Sequence, residues 1–135
     1  MAKPIHEIAL ALVYRRDQWL VAKRGASVHL AGLWEFPGGK QLPQETAMQA
    51  AVRELYEECA VRAQPQEALP SIVWEYADRI LRITPVTCRW EAGEPQALGN
   101  ELCRWVDGVE LPSLAMPPAN AVIVQAALAW RSTHR

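Results

Sequence analysis

The sequence predicts an α+β domain in which a mixed β-sheet is sandwiched between α-helices. Three observations point there. Residues 5–14, IHEIALALVY, are almost wholly apolar, as in a strand buried on both faces. Residues 46–59 contain neither Pro nor Gly and are dominated by Ala, Met, Leu, Glu and Gln, a helical composition, and residues 119–132 form a second, Ala-rich helical stretch. The apolar runs 72–76 and 80–90 flank the short segment Tyr76-Ala77-Asp78-Arg79 and read as a hairpin.

The remaining segments fill in around these. After the polar turn 15–18, residues 19–23 return as a second strand, and residues 33–36 are a short extended piece stopped by Pro37-Gly38-Gly39. Residues 64–70 read as a polar connector, 91–100 as a turn-rich loop, 101–106 as a strand and 111–118 as an irregular, Pro-rich segment. Pro85 suggests an edge strand or a bulge. No repeat or linker interrupts the chain, so residues 1–135 read as one domain.

A chain of 135 residues suits a single core. Its net charge of −1 gives no basic field for a nucleic acid, and a polyphosphate would be repelled unless cations brought it in. Six Trp residues either stack against a ligand or simply pack. The Cys residues at 59, 88 and 103 show no metal-ligand spacing and read as reduced, buried thiols. The segment MAKPIHEIAL lacks the basic region and apolar core of a signal peptide, and no run is long enough to span a membrane. The expectation is a soluble, cytoplasmic protein, monomer or homodimer, without membrane or direct nucleic-acid partners.

The chemistry concentrates in residues 39–61. On a helix, Met48, Val52, Leu55 and Cys59 form an apolar face, while Glu54, Glu57 and Glu58 share another face at i, i+3 and i+4. Three neighbouring carboxylates repel one another by roughly 0.2–0.5 kcal/mol per exposed pair. They form either a solvated acidic surface, partly neutralised by Arg53, or a ligand set for a hard divalent cation.

The full spacing selects between these. Gly39, Glu45, Arg53, Glu54, Leu55, Glu57, Glu58 and Val61 match in register the Nudix box, G-x5-E-x7-R-E-U-x-E-E-x-G-U with U aliphatic. One position departs: Ala60 stands where the motif has Gly, so the helix end is expected to differ. Outside the box, Arg24, His29, the run 33–40 (LWEFPGGK), Asp78, Glu94-Pro95, Trp105 and Pro117-Pro118-Ala119-Asn120 resemble the MutT branch of the Nudix hydrolases. The similarity extends from residue 5 to about 130, nearly the whole chain.

That resemblance implies a Nudix fold and a Mg²⁺-dependent enzyme, with Mn²⁺ as a substitute. It would hydrolyse 8-oxo-dGTP to the monophosphate and pyrophosphate, by attack at the β-phosphorus, and so keep an oxidised nucleotide out of DNA. Glu54, Glu57 and Glu58, with the Gly38 carbonyl, would ligate metal, and Glu54 is the candidate general base. Arg53 would orient a carboxylate, that of Glu45 or Glu54, through its fork of donors. Arg24 and Lys40 are either phosphate contacts or surface charges. Glu35, Phe36, Pro37, Gly38 and His29 complete the implied substrate set, and Phe36 and Tyr76 either wall the base or belong to the core.

Hydrogen-bond inventory adds a reason for base choice. Oxidation at C8 turns guanine N7 from an acceptor into an N–H donor beside the O6 acceptor. The Asn120 amide offers one acceptor and donors together, so it can meet both atoms, whereas unmodified guanine leaves acceptor facing acceptor at about 1–3 kcal/mol. The competing role for Asn120 is a helix N-cap. Asp78 either accepts from base N–H groups or is a turn residue. MutT-like proteins carry a glutamate six residues before the Trp matched by Trp105, and here that position is Gly99, with Glu94 and Glu101 as the nearest substitutes. Alternatives are a Nudix enzyme for CTP, dCTP, another NTP or ADP-ribose, and a non-catalytic oxidised-guanine module like the C-terminal domain of MutY-type glycosylases. Such modules lack the Arg-Glu-Leu-x-Glu-Glu sequence that Arg53 to Glu58 preserve.

Overall fold

The computed structural model describes residues 2–25 and 31–135. The elements in order are β1 (Ile5–Arg15), β2 (Gln18–Lys23), β3 (Trp34–Glu35), β4 (Gly38–Lys40), α1 (Ala47–Cys59), β5 (Arg62–Ala68), β6 (Ile72–Glu75), β7 (Ile80–Ala92), β8 (Leu102–Asp107), a 3-10 turn (Leu111–Ser113) and α2 (Asn120–Thr133). The sheet runs β3-β2-β1-β7-β5, with β4 on β1, β6 on β7 and β8 on β2. β1 and β7 pair in parallel from Ile5 opposite Ile80 to Tyr14 opposite Arg89. The other described pairings are antiparallel, which makes the sheet mixed.

Strand alternation sends neighbouring β1 residues to opposite faces. Ala9, Ala11 and Val13 pack with Ala50, Ala51, Leu55 and Cys59 of α1. Leu12 and Tyr14 pack with Ile123, Val124 and Trp130 of α2. Burial on both faces is why the run reads as continuously apolar, and the small Ala residues let α1 lie close. The α1 stripe centres on Ala51, Leu55 and Cys59, with Met48 and Val52 flanking it, partly buried. Thr46 caps α1 through its hydroxyl and exchanges a capping box with Gln49. Among the described residues no helix is long and apolar enough to cross a membrane.

Two expectations are corrected. The connector 64–70 is largely strand β5, antiparallel to β7. Its residues RAQPQEA are mostly exposed because β5 lies at the sheet edge, so no apolar alternation marks it. Pro85 stands inside central β7, neither at an edge nor at a described bulge. It is tolerated because β7 changes partner there, from β6 at Ile83 to β5 at Val86. The missing N–H falls in that gap, while the Pro85 carbonyl accepts from the Leu69 N–H at 2.8 Å.

The Trp residues pack rather than line a ligand surface. Trp19 and Trp130 are core, and the Arg15 guanidinium lies between Trp90 and Trp105 at 5.1 and 4.3 Å from the ring centroids. All three Cys are buried and unbridged. Cys103 Sγ and Cys59 Sγ share a hydrogen bond at 2.7 Å. This pairing with a second thiol that would carry like charge, and then burial, raise the Cys59 thiol pKa.

Candidate active site

Arg53 organises the acidic helix. Its Nε and Nη2 make a two-pronged contact to the Glu45 carboxylate, the Nη2 bond being 2.9 Å. Nη1 reaches Glu54 at 3.0 Å and Glu57 at 3.2 Å, and Nη2 also donates to the Lys40 carbonyl at 3.2 Å. Both orientations left open for Arg53 are therefore realised at once. The Arg53 contacts hold the Glu45 carboxyl below its usual range, helped by the Leu42 N–H.

Gly39 has a steric reason. A Cβ there would stand 2.6 Å from the Glu54 carboxyl carbon, so a larger residue would push that carboxylate out of its present position. Glu58, one turn on, is pushed up to about 9, first by burial, then by the neighbouring acidic groups Cys59, Glu35 and Glu54, against one hydrogen bond from the Gly38 backbone. Among the described residues no three His, Cys, Asp or Glu side chains are gathered closely enough to hold a metal ion. Arg53 instead neutralises Glu54 and Glu57, which splay toward it. The donor set nonetheless fits a hard divalent cation: carboxylate oxygens on one helix face, with glycine backbone beside them where a Cβ would intrude.

The departure at Ala60 does not lengthen or fray α1. Ala60 adopts the left-handed conformation (φ 57°, ψ 29°) that the motif glycine would take, and its N–H bonds the Tyr56 carbonyl. The loop after β7 completes the cap: Leu98 and Gly99 donate to the Glu58 carbonyl at 2.9 and 3.2 Å, and Gln96 donates to that of Cys59 at 2.9 Å. Gly99 therefore abuts α1, and a Cβ there would lie 3.2 Å from Glu58 Cγ. Of the two nearest substitutes, Glu94 pairs with Arg15 at 2.8 Å, while Glu101 is exposed, with its N–H donating to the Lys23 carbonyl at 3.0 Å.

Beside this helix lies a cavity of about 450 Å³, a size suited to a nucleotide-scale ligand. Of the expected substrate residues it brings together Arg24, Glu35, Phe36, Gly38, Lys40 and Asn120, with Glu58 at one wall. Arg24 is paired with Glu35, whose carboxyl is raised by burial although Arg24 opposes the shift. Phe36 is 1% exposed and belongs to the core as well as the wall. Asn120 is 6% exposed and is not the cap: Ala119 holds that position without a side-chain bond, and among the described residues the Asn120 amide donates only to Met116 Sδ, at 3.9 Å.

Pro37 is not in the lining; its carbonyl accepts from the Ala11 N–H. Asp78 stays outside as well, in the bend after β6, with its exposed carboxylate 3.4 Å from Arg79. His29 lies outside the described residues. The sequence reading omitted His6, Ile8, Leu10, Arg79, Leu81 and Ile83, which the cavity uses. Period-two alternation in β1 puts the first three on one face, but nothing in the sequence sets them beside β7.

A NUDIX domain profile matches residues 8–126. This is a Nudix protein. The Nudix chain is 33% identical over 128 residues to the CTP pyrophosphohydrolase of Escherichia coli K12, covering 95% of each. It is 32% identical over 120 residues to the 8-oxo-dGTP diphosphatase of the same strain, covering 87% of this chain and 92% of that one. Among solved structures, the Escherichia coli ORF135 protein superposes with a TM-score of 0.78 at 32% identity, covering 97% of this chain and 94% of that one. The expected mixed-sheet α+β fold is thus shown, and with it membership of the Nudix hydrolases, enzymes that act on small-molecule nucleotides and generally use divalent metal ions.

Proposed function

We propose that this Nudix hydrolase converts 8-oxo-dGTP to 8-oxo-dGMP and pyrophosphate, a nucleotide-sanitising activity that avoids mutation in DNA. The observation that carries the proposal is Asn120. Its amide is buried at the start of α2, faces the cavity and is not committed to capping the helix. An uncommitted amide presents the acceptor–donor pair that the O6 and N7–H edge of 8-oxoguanine requires. Phe36 and Tyr76 supply apolar walls for the base.

Glu54, Glu57 and Glu58, with the Gly38 carbonyl, would hold Mg²⁺, which supplies charge neutralisation for the triphosphate and activates water. Arg53 fixes the Glu54 carboxylate against Gly39, where it can take a proton from the attacking water. Lys40, exposed at the cavity rim, meets phosphate oxygens, while Arg24 and Glu35 hold the wall as a pair. A second reading, hydrolysis of CTP or dCTP, is favoured by the relative named CTP pyrophosphohydrolase.

Turnover of 8-oxo-dGTP, dGTP, CTP and ADP-ribose with Mg²⁺ decides between them. The expected result is the highest kcat/KM for 8-oxo-dGTP; a preference for CTP overturns the base assignment and leaves the enzyme class standing. Asn120→Ala should weaken calorimetric binding of 8-oxo-dGMP by about 1–3 kcal/mol, and weaken dGMP less. Equal losses would reduce Asn120 to a general contact.

A further inference from the structure

His6 sits on β1 two residues before Ile8 and four before Leu10, so all three point to the same face, and all three line the cavity. Its strand partner across the parallel pair is Leu81, also in the lining. Ile8, Leu81 and the Tyr76 ring make this end of the cavity largely apolar, with Arg79 beside it. Among the described residues the half-buried imidazole has no hydrogen-bond or ion-pair partner. Polar groups in protein interiors are ordinarily paired, and a few convergent polar groups in an apolar pocket are what orient a ligand.

The position along the strand says which part of a ligand His6 meets. Gly38, which bonds Glu58, lies opposite Leu10, and Lys40 lies opposite Ile8. His6 is one step further, roughly 13 Å along the strand from Leu10 at about 3.3 Å per residue. A nucleotide with its phosphates at the Glu58 end therefore presents its nucleoside, not its phosphates, to His6. We infer that His6 is a specificity-determining residue that hydrogen-bonds a polar edge of the nucleobase. A neutral imidazole carries one N–H donor and one lone-pair acceptor, so it serves either kind of edge atom. The inference rests on the nucleotide-hydrolase reading above.

The test is steady-state kinetics of His6→Leu and His6→Gln on 8-oxo-dGTP and CTP, with inorganic tripolyphosphate as a competitive inhibitor lacking a nucleoside. His6→Leu should raise KM for the preferred nucleotide by about 5- to 10-fold, the worth of one hydrogen bond, and leave kcat and tripolyphosphate inhibition unchanged. The other nucleotide should be affected less, so the preference between them narrows. His6→Gln, which keeps a donor and an acceptor, should recover part of the loss. Unchanged KM values for both nucleotides, or an equal rise for both with weaker tripolyphosphate inhibition, overturns the inference. If His6→Leu does not fold, His6→Ala is judged by the same criteria. A wild-type protein that hydrolyses no nucleotide defeats the parent reading and this one with it.

Discussion

One guanidinium, that of Arg53, touches three carboxylates and a backbone carbonyl, which an ammonium with its single point of charge would not do in one geometry. Glu58 receives no such help and is half-buried beside Glu54 and Glu35. Its carboxyl is raised from 4.5 to about 9 in the folded, metal-free protein. The protonated form is thus the one the fold favours, so the Glu58 contribution to stability is fully present below 4.5 and is lost as pH rises through about 9. Glu58→Gln should abolish most turnover in Mg²⁺ yet make the chelator-treated protein more stable than wild type. The gap should be small at about pH 5 and wider at about pH 8, read from urea midpoints. A less stable Glu58→Gln at the higher pH would refute the assignment. The candidate site was legible in the placement of its residues where a fixed spacing on one helix sets it, as for Arg53, Glu54, Glu57 and Glu58. It was not legible for His6, Arg79 and Leu81, which meet only through pairing of distant strands.

At the scale of elements, the C-terminal end of α1 shows how a motif position can change while its geometry survives. Ala60 keeps the left-handed backbone and its bond to Tyr56, held by the loop amides that cap Glu58 and Cys59. A Cβ in that conformation costs about 1–2 kcal/mol, part of which glycine gives back through its freer unfolded chain. Ala60→Gly should therefore raise the stability by about 0.5–1 kcal/mol, seen as a higher Tm with turnover unchanged. A lower Tm would mean that the Ala60 methyl packs usefully. Helix α1 was readable because its composition, Thr46 cap and apolar stripe agree. β5 was not, because an edge strand with most side chains in water carries no alternation. Pro85 misled for a related reason: proline disfavours a central strand unless the neighbouring chain changes over at that residue, and only the pairing shows that it does.

For the molecule as a whole, the decisive feature is the parallel pairing of β1 with β7, at the centre of the sheet and behind the cavity. Both helices pack on it, and Asn120 reaches the cavity only because α2 covers the β1 face that carries Leu12 and Tyr14. Amide exchange should be slowest in β1 and β7 and faster in β5 and β3, the ends of the sheet path; uniform protection would argue against a stability gradient. The same pairing joins residues separated by more than half of the chain. Such contacts fold late and slowly, because a long loop must close before they give anything back. On a ribosome making about 5–20 residues per second, β1 would wait roughly 4–15 s for its partner to be synthesised. Throughout that interval an apolar strand is exposed, so the yield of folded enzyme depends on whatever shelters nascent chains as well as on the finished fold.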